Sequence, residues 1–214
     1  MLYLTIKLLN TVFDFRGCFM FLGDIAEIKT GLVLSTKKAE IKTDVKATYK
    51  LLTLNNIGED GSIINDSFEE FFCNELLEDH YFTKEGDVLL RLSRPFTAIY
   101  IDQSLLGLLV PSYFAVIKVN EEKILPQFLA WYLNTNYVKK ELQRSQSGSR
   151  IASTNQQAIK RIPIRETPIS KQKTWIKLYA LHQKEKLLYK KLIEEMELYF
   201  QGITRQLLGG KENE

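Results

Sequence analysis

The sequence predicts an α+β fold: a mixed or mainly antiparallel sheet with packed helices, followed by one long C-terminal helix. Three observations carry the prediction. Short strand-like runs separated by tight turns fill residues 22–119. The apolar period becomes helical from Pro126. A helical pattern then runs to Leu208 without a proline after Pro168. The expected divisions are an extension over 1–19, a domain over 20–166, the helix over 167–208 and a tail over 209–214.

Taken in order, Leu22–Gly31 reads as a turn of helix, a strand and a glycine turn, and Tyr49–Leu54 as a strand ended by Asn55-Asn56. Gly58-Glu-Asp-Gly61 and Glu85-Gly-Asp87 are turns, the second leading into Val88–Leu92. Further strand-like runs are Ala98–Ile101, Leu105–Val110 and Tyr113–Val119. Phe128, Leu129, Trp131, Tyr132 and Leu133 then fit a helix packed on the sheet, with a second helix over about Tyr137–Arg144.

Thr167 suits an N-cap and Pro168 a first helical turn, where a missing N–H costs nothing. Gly209 suits the far end. Between them Leu181, Leu188, Leu192, Met196, Tyr199, Ile203 and Leu207 step by 7, 4, 4, 3, 4 and 4, which keeps them on one face. Lysines and glutamates fill the other faces, and those near Lys184 and Lys190 are expected to be solvated. A rod of roughly 60 Å is too long to bury its stripe on the preceding domain, so a partner helix is expected.

At 214 residues and 45% hydrophobic content the chain is one domain, or one domain plus an appended element, with enough apolar residues for a core. Cys18 and Cys73 have no metal spacing, and His80 and His182 lie far apart, so no metal, no cofactor and a reducing, cytoplasmic setting are expected. Lys7, Asp14 and Arg16 interrupt the apolar start too often for a membrane span or a signal peptide. Residues 1–19 read equally as an extra strand or helix, or as an extension ahead of Met20.

The net charge of +3 conceals an asymmetry. Glu59–Asp87 holds ten acidic residues and one lysine, Lys84, and reads as a solvated surface. Lys139–Lys191 holds fourteen basic residues against three acidic, a pattern that suits a polyanion, most often nucleic acid, although a solvated lysine-rich helix face also gives it. Phosphate-loop, nucleophile-elbow and zinc signatures are absent, as is the segment amino-methyltransferases use. A magnesium nuclease would need an acid and Glu-x-Lys, and Glu27-Ile-Lys29, Glu40-Ile-Lys42 and Glu121-Glu-Lys123 offer it, the last after Asp102. With 18 glutamates and 21 lysines, about two such triplets arise by random placement, so three is no excess.

Several segments, in this order and spacing, resemble the specificity (S) subunits of type I restriction–modification enzymes. Leu22-Gly-Asp-Ile with Gly31 is similar to the opening of a target recognition domain, and Tyr49–Ile57 with Asp60-Gly61 to its next strand and turn. Gly86-Asp-Val-Leu-Leu90 resembles a Gly-Asp-Ile-Leu strand, and Pro126–Thr135 the helix pair that follows. Gly148-Ser149 with Ile162-Pro-Ile164 resembles the loop and short helix that close the domain. Pro168-Ile169 with Gln172 resembles the Pro-Pro-Leu-x-Glu-Gln entry to a long conserved helix, with Thr167 for the first proline and Lys171 for the glutamate. The usual subunit carries two such domains and two helices, and this chain has one of each.

The resemblance implies a non-catalytic subunit that reads a half-site in the major groove of double-stranded DNA. It implies a homodimer through antiparallel pairing of the long C-terminal helix, an interrupted palindromic target, a methyltransferase (M) subunit and optionally an R subunit as partners, and no membrane. Lys37, Lys38, Arg91, Arg94, Arg144, Ser147, Ser149 and Arg150 are the side chains expected near DNA. Arg91, between Leu90 and Leu92, is expected on an exposed strand face, and Arg150 in a polar loop able to enter a groove. Lys160, Arg161 and Arg165 suit phosphate or an M subunit equally. Leu181, Leu188, Leu192, Met196, Tyr199 and Ile203 are expected to face the partner helix. The competing reading is a silent or truncated specificity fragment that acts only as an interaction protein.

Overall fold

The computed structural model describes residues 19–145 and 155–209. These fall into two units that divide between Gln172 and Lys173.

In the first unit the strands are β1 (Phe19–Phe21), β2 (Ala26–Thr30), β3 (Ala47–Leu51), β4 (Glu69–Cys73), β5 (Val88–Arg91), β6 (Ala98–Tyr100), β7 (Phe114–Val119) and β8 (Pro163–Arg165). The central sheet has the order β2-β7-β5-β6 and is antiparallel throughout. Two ribbons, β3–β4 and β1–β8, flank it. Three helices, α1 (Pro126–Leu133), α2 (Asn136–Ser145) and α3 (Gln156–Lys160), precede β8, and α1 packs on β5 and β6. The α+β architecture is thus the one the sequence predicts.

Strand β5 lies between β6 and β7, and Val88, Leu89 and Leu90 are all fully buried. Leu89 joins Leu52, Ile99, Leu108, Val110 and Phe114 in one apolar cluster, and strand alternation sends Val88 and Leu90 to the other face. A second cluster, Leu32, Leu51, Phe71, Cys73 and Leu109, sits under the β3–β4 ribbon. Polar side chains tie the connections down. The buried Asn56 accepts from Thr53 N (2.8 Å) and donates to the carbonyls of Asn65 (2.9 Å) and Ser67 (3.1 Å). Asn134, after α1, brackets Ala98, accepting from its N–H (3.0 Å) and donating to its carbonyl (2.6 Å). Gly31 has no room for any side chain, because a Cβ there would run into the carbonyls of Val110 and Pro111.

Four sequence expectations are corrected. Leu105–Val110 forms no strand: a 3₁₀ turn, Gln103–Leu105, is followed by single bridges from Leu109 to Leu51 and to Phe82. The strand expected over Tyr49–Leu54 lies at Ala47–Leu51, with a 3₁₀ turn at Leu54–Asn56. The acidic stretch contains a strand, β4, whose Phe71 and Cys73 are buried while Glu69, Glu70 and Phe72 face out. Ile162–Ile164 leads into a strand after the short α3, because Met20 pairs with Ile164.

The second unit is helix α4, which begins in the first unit and spans Ile169–Gly209, 41 residues. Its start departs by one residue from the expected cap. The carbonyl of Pro168 accepts the first helical hydrogen bond, from Gln172 N (3.0 Å), so Pro168 holds the N-cap place. The Thr167 hydroxyl instead donates back to Arg165 O (3.2 Å). Among the described residues, no helix is long and apolar enough to cross a membrane.

Candidate nucleic-acid interface and partner helix

The antiparallel register places Thr30, Arg91 and Phe114 at one end of the central sheet, since Thr30 pairs with Ala115 and Arg91 with Phe114. Strand β5 ends here at Arg91, and the β5–β6 turn that follows carries Arg94. Lys37 and Lys38 lie further along the segment after β2, where Lys38 bridges to Cys73 at the end of β4. Of the eight expected DNA-facing residues, Arg91 and Arg94 are thus the two that the register places at this end. Tyr113 lies at the same end, its hydroxyl donating to Leu52 O (3.4 Å), and burial pushes its phenol up to about 12.

The four cations differ in freedom. Lys37 is paired with Glu75 at 2.6 Å, and this hydrogen bond raises the ammonium above its usual value. Arg91 does not sit on an exposed strand face. The central position of β5 leaves it half-buried, with Nε donating to Ser93 Oγ at 3.0 Å. Lys38 and Arg94 are exposed, and neither side chain has a hydrogen bond or ion pair among the described residues.

Arg144 is not joined to this group; it lies in the last turn of α2 and pairs with Glu141 at 3.4 Å. Ser147, Ser149 and Arg150 lie outside the described residues. Lys160 ends α3, Arg161 lines a 370 Å³ crevice with Glu141, Asn155 and Gln157, and Arg165 stands 6.0 Å from the Phe19 ring centre. Of the nuclease triplets, Glu27 and Lys29 pair with each other at 2.8 Å, and no cluster of three metal-ligating side chains occurs among the described residues.

On α4 most of the large apolar side chains stand open, while Trp175, Ile176 and Ile203 are half-buried. Leu178, Leu181, Leu188, Leu192, Met196 and Tyr199 are between 48% and 73% exposed. Tyr189, Ile193 and Phe200 are similarly exposed, and Leu207 more so. At 100° per residue Leu188, Tyr189, Leu192, Ile193, Met196, Tyr199, Phe200, Ile203 and Leu207 span an arc roughly 140° wide, with Leu198 outside it. Leu181, Leu188, Leu192 and Tyr199 form one side of it. Tyr189, Ile193, Phe200 and Leu207 form the other, with Met196 and Ile203 between. The second side follows the steps 4, 3, 4, 3, 4 from Tyr189 through Ile193, Met196, Phe200 and Ile203 to Leu207, so it too stays on one face.

The fold recurs in solved structures. The HsdS subunit from Thermoanaerobacter tengcongensis matches with a TM-score of 0.63 at 18% identity, covering 90% of this chain and 50% of that one. A chain of a type I R-M system, solved for its complex assembly and conformational transition, matches with a TM-score of 0.62 at 18% identity, covering 90% and 47%. The fold is that of half a type I S subunit. The S subunit of a type I restriction–modification system from M. genitalium matches at 0.53 and 12% identity, over 97% of this chain and 49% of that one. The chain therefore spans about half the length of the S-subunit chains it resembles. No protein-family model matches it, and no curated protein does.

Within this S-subunit fold, Gln172 is the best-supported polar contact of the helix start. It is 1% exposed, donates to the carbonyls of Lys123 (3.0 Å) and Thr167 (2.7 Å), and accepts from Leu125 N (2.8 Å). It thereby fastens the first turn of α4 to the connection that enters α1. Asp87, from the Gly-Asp turn, is also buried. Its carboxylate accepts from Lys84 N (2.9 Å) and faces Lys118 Nζ at 3.6 Å, and burial holds its pKa above the ordinary value despite both.

Proposed function

We propose that this chain is a non-catalytic DNA-recognition half-subunit of a type I restriction–modification enzyme, with the 20–166 domain reading one half-site and the 167–208 helix joining two copies. The observation that carries the reading is an S-subunit fold over 90% of the chain that includes a helix whose apolar face is open from Leu178 to Leu208. Half a subunit supplies one reading domain, and a second copy supplies the other. Two copies about a two-fold axis then read two identical half-sites, an interrupted palindrome.

Lys37, Lys38, Arg91 and Arg94, with Arg144, Ser147, Ser149 and Arg150, are the proposed DNA contacts. Lysines hold phosphate, whereas arginines and serines also reach base edges. The width of the apolar arc favours more than one neighbour on the helix. A two-helix seam uses a narrower stripe, so pairing through Leu188 and Leu192 leaves Tyr189, Ile193 and Phe200 for an M subunit. Adenine methylation belongs to that subunit, and an R subunit joins only for cleavage. The protein acts in the cytoplasm, where its DNA is.

The mass of the purified chain in solution tests the joining step. Twice the 24.8 kDa of one chain is expected over a range of concentrations, and a monomer throughout would remove the helix-pairing role. A duplex-binding titration separates recognition from the silent-fragment reading, which predicts the same dimer with no sequence preference. Magnesium-dependent cleavage by the chain alone would replace both with the nuclease reading.

A further inference from the structure

We infer that Phe96 is a positioning residue for Arg94, and that the β5–β6 turn discriminates between base pairs rather than merely adding positive charge. The inference rests on the DNA-recognition reading above. The turn is closed by Arg91 N donating to Thr97 O (2.9 Å) and Phe96 N donating to Ser93 O (2.9 Å). Phe96 has φ +54°, the one non-glycine residue with positive φ among those described, and its ring is fully buried. A bulky residue adopts this backbone region only when its surroundings over-determine it, and such outliers concentrate where a site must be held in place.

The base of the turn is held from two further directions. Thr97 Oγ1 donates to Glu59 O (3.5 Å), and Lys139 Nζ donates to the same oxygen (3.3 Å). Asn134 brackets the backbone of Ala98, and Gly61 packs on the Ala98 carbonyl too closely to admit a Cβ. At the apex Arg94 is exposed and makes no hydrogen bond or ion pair among the described residues, while Lys37 is engaged by Glu75 and Arg91 by Ser93. A free guanidinium on a fastened turn suits a directional contact. Bidentate bonding to guanine needs placement, whereas phosphate attraction needs only charge.

The test compares binding of a selected duplex with binding of a scrambled duplex of equal length and composition, using the full chain with its M subunit. Arg94→Lys keeps the charge and loses the fork, so the selected-to-scrambled ratio should fall about ten-fold while scrambled binding stays within about two-fold. Phe96→Gly keeps the backbone conformation and loses the anchor, and should lower the ratio similarly; Phe96→Leu, which refills the buried site, should restore much of it. If Phe96→Gly does not fold, Arg94→Lys and Phe96→Leu decide between them. A wild-type chain that selects no duplex overturns both the inference and the reading beneath it. A selective wild type whose ratio is unchanged in Arg94→Lys overturns the inference alone, as does a Phe96→Gly chain that folds and keeps its ratio.

Discussion

Replacing Gln172 by leucine should destabilise the domain by about 3 kcal/mol, because each backbone group left unsatisfied in a buried place costs roughly 1–3 kcal/mol and local relaxation recovers part of it. The side chain serves three such groups at once, the N–H of Leu125 and the carbonyls of Lys123 and Thr167, from a position that is 1% exposed. Leucine is of similar size, so the loss measures hydrogen bonding rather than a cavity. Gln172→Glu supplies a control with a distinct signature. Its carboxylate still accepts from Leu125 N but confronts two carbonyls, so the variant should be worse than leucine at neutral pH. Burial and those carbonyls raise the folded-state pKa of the introduced acid above its unfolded value. Protonation therefore favours the folded state, and stability returns as pH falls through the raised value. Urea unfolding followed by circular dichroism from pH 7 to pH 4 reads both effects. A Gln172→Leu chain within about 0.5 kcal/mol of wild type would refute the claim that this side chain fastens the helix start.

Other changes probe separate parts of the account. Leu188→Asp with Leu192→Asp should turn the dimer into a monomer in light scattering, whereas Ile193→Asp with Phe200→Asp should keep the dimer and lose the M subunit in a co-purification. Loss of the dimer in the second pair would show that the two sides of the arc are not divided in this way. Gly31→Ala should prevent stable folding, since the new Cβ would meet two backbone carbonyls that cannot yield, and a normal unfolding transition would contradict the close approach. The stability of wild type relative to Asp87→Asn should rise as pH falls from neutrality to about 4, because the folded-state pKa of Asp87 is raised and the unfolded value is the ordinary one. A difference that shrinks on acidification would reverse the assigned cause, burial.

Much of the fold was legible because local chemistry and tertiary structure agree. The Gly-Asp turn before Val88, the helix opening at Pro126 and the long helix ending at Gly209 all follow from patterns within a few residues. The failures lie where a distant partner decides. Strand β4 reads as an acidic surface because it opens with Glu69 and Glu70 and is followed by Glu75, and only pairing with β3 gives Phe71 and Cys73 a buried face. The strand at Pro163–Arg165 depends on pairing with Phe19–Phe21, some 140 residues away along the chain. Leu105–Val110 has the composition of a strand, yet its groups are met by side chains and single bridges, with Thr83 Oγ1 accepting from Leu108 N and donating to Leu105 O.

Basic residue types in or beside turns single out Lys37, Lys38, Arg91 and Arg94 in the sequence, but only the register shows that β2 and β5 end on the same side of the sheet. No sequence pattern distinguishes the engaged Lys37 from the free Lys38, because Glu75 arrives from another ribbon. The second apolar side of α4 lies at helical spacing in the sequence, but its mixture of Tyr189, Ile193 and Phe200 stands out less than the line of leucines beside it.

The most direct test of the central claim is to co-express the chain with an M subunit from its own genome and map methylated adenines in the host DNA. An interrupted palindromic motif, present only when both proteins are present, is the predicted result. A purified complex that adds no methylation, or one that marks an asymmetric motif, would contradict a symmetric half-subunit that reads DNA.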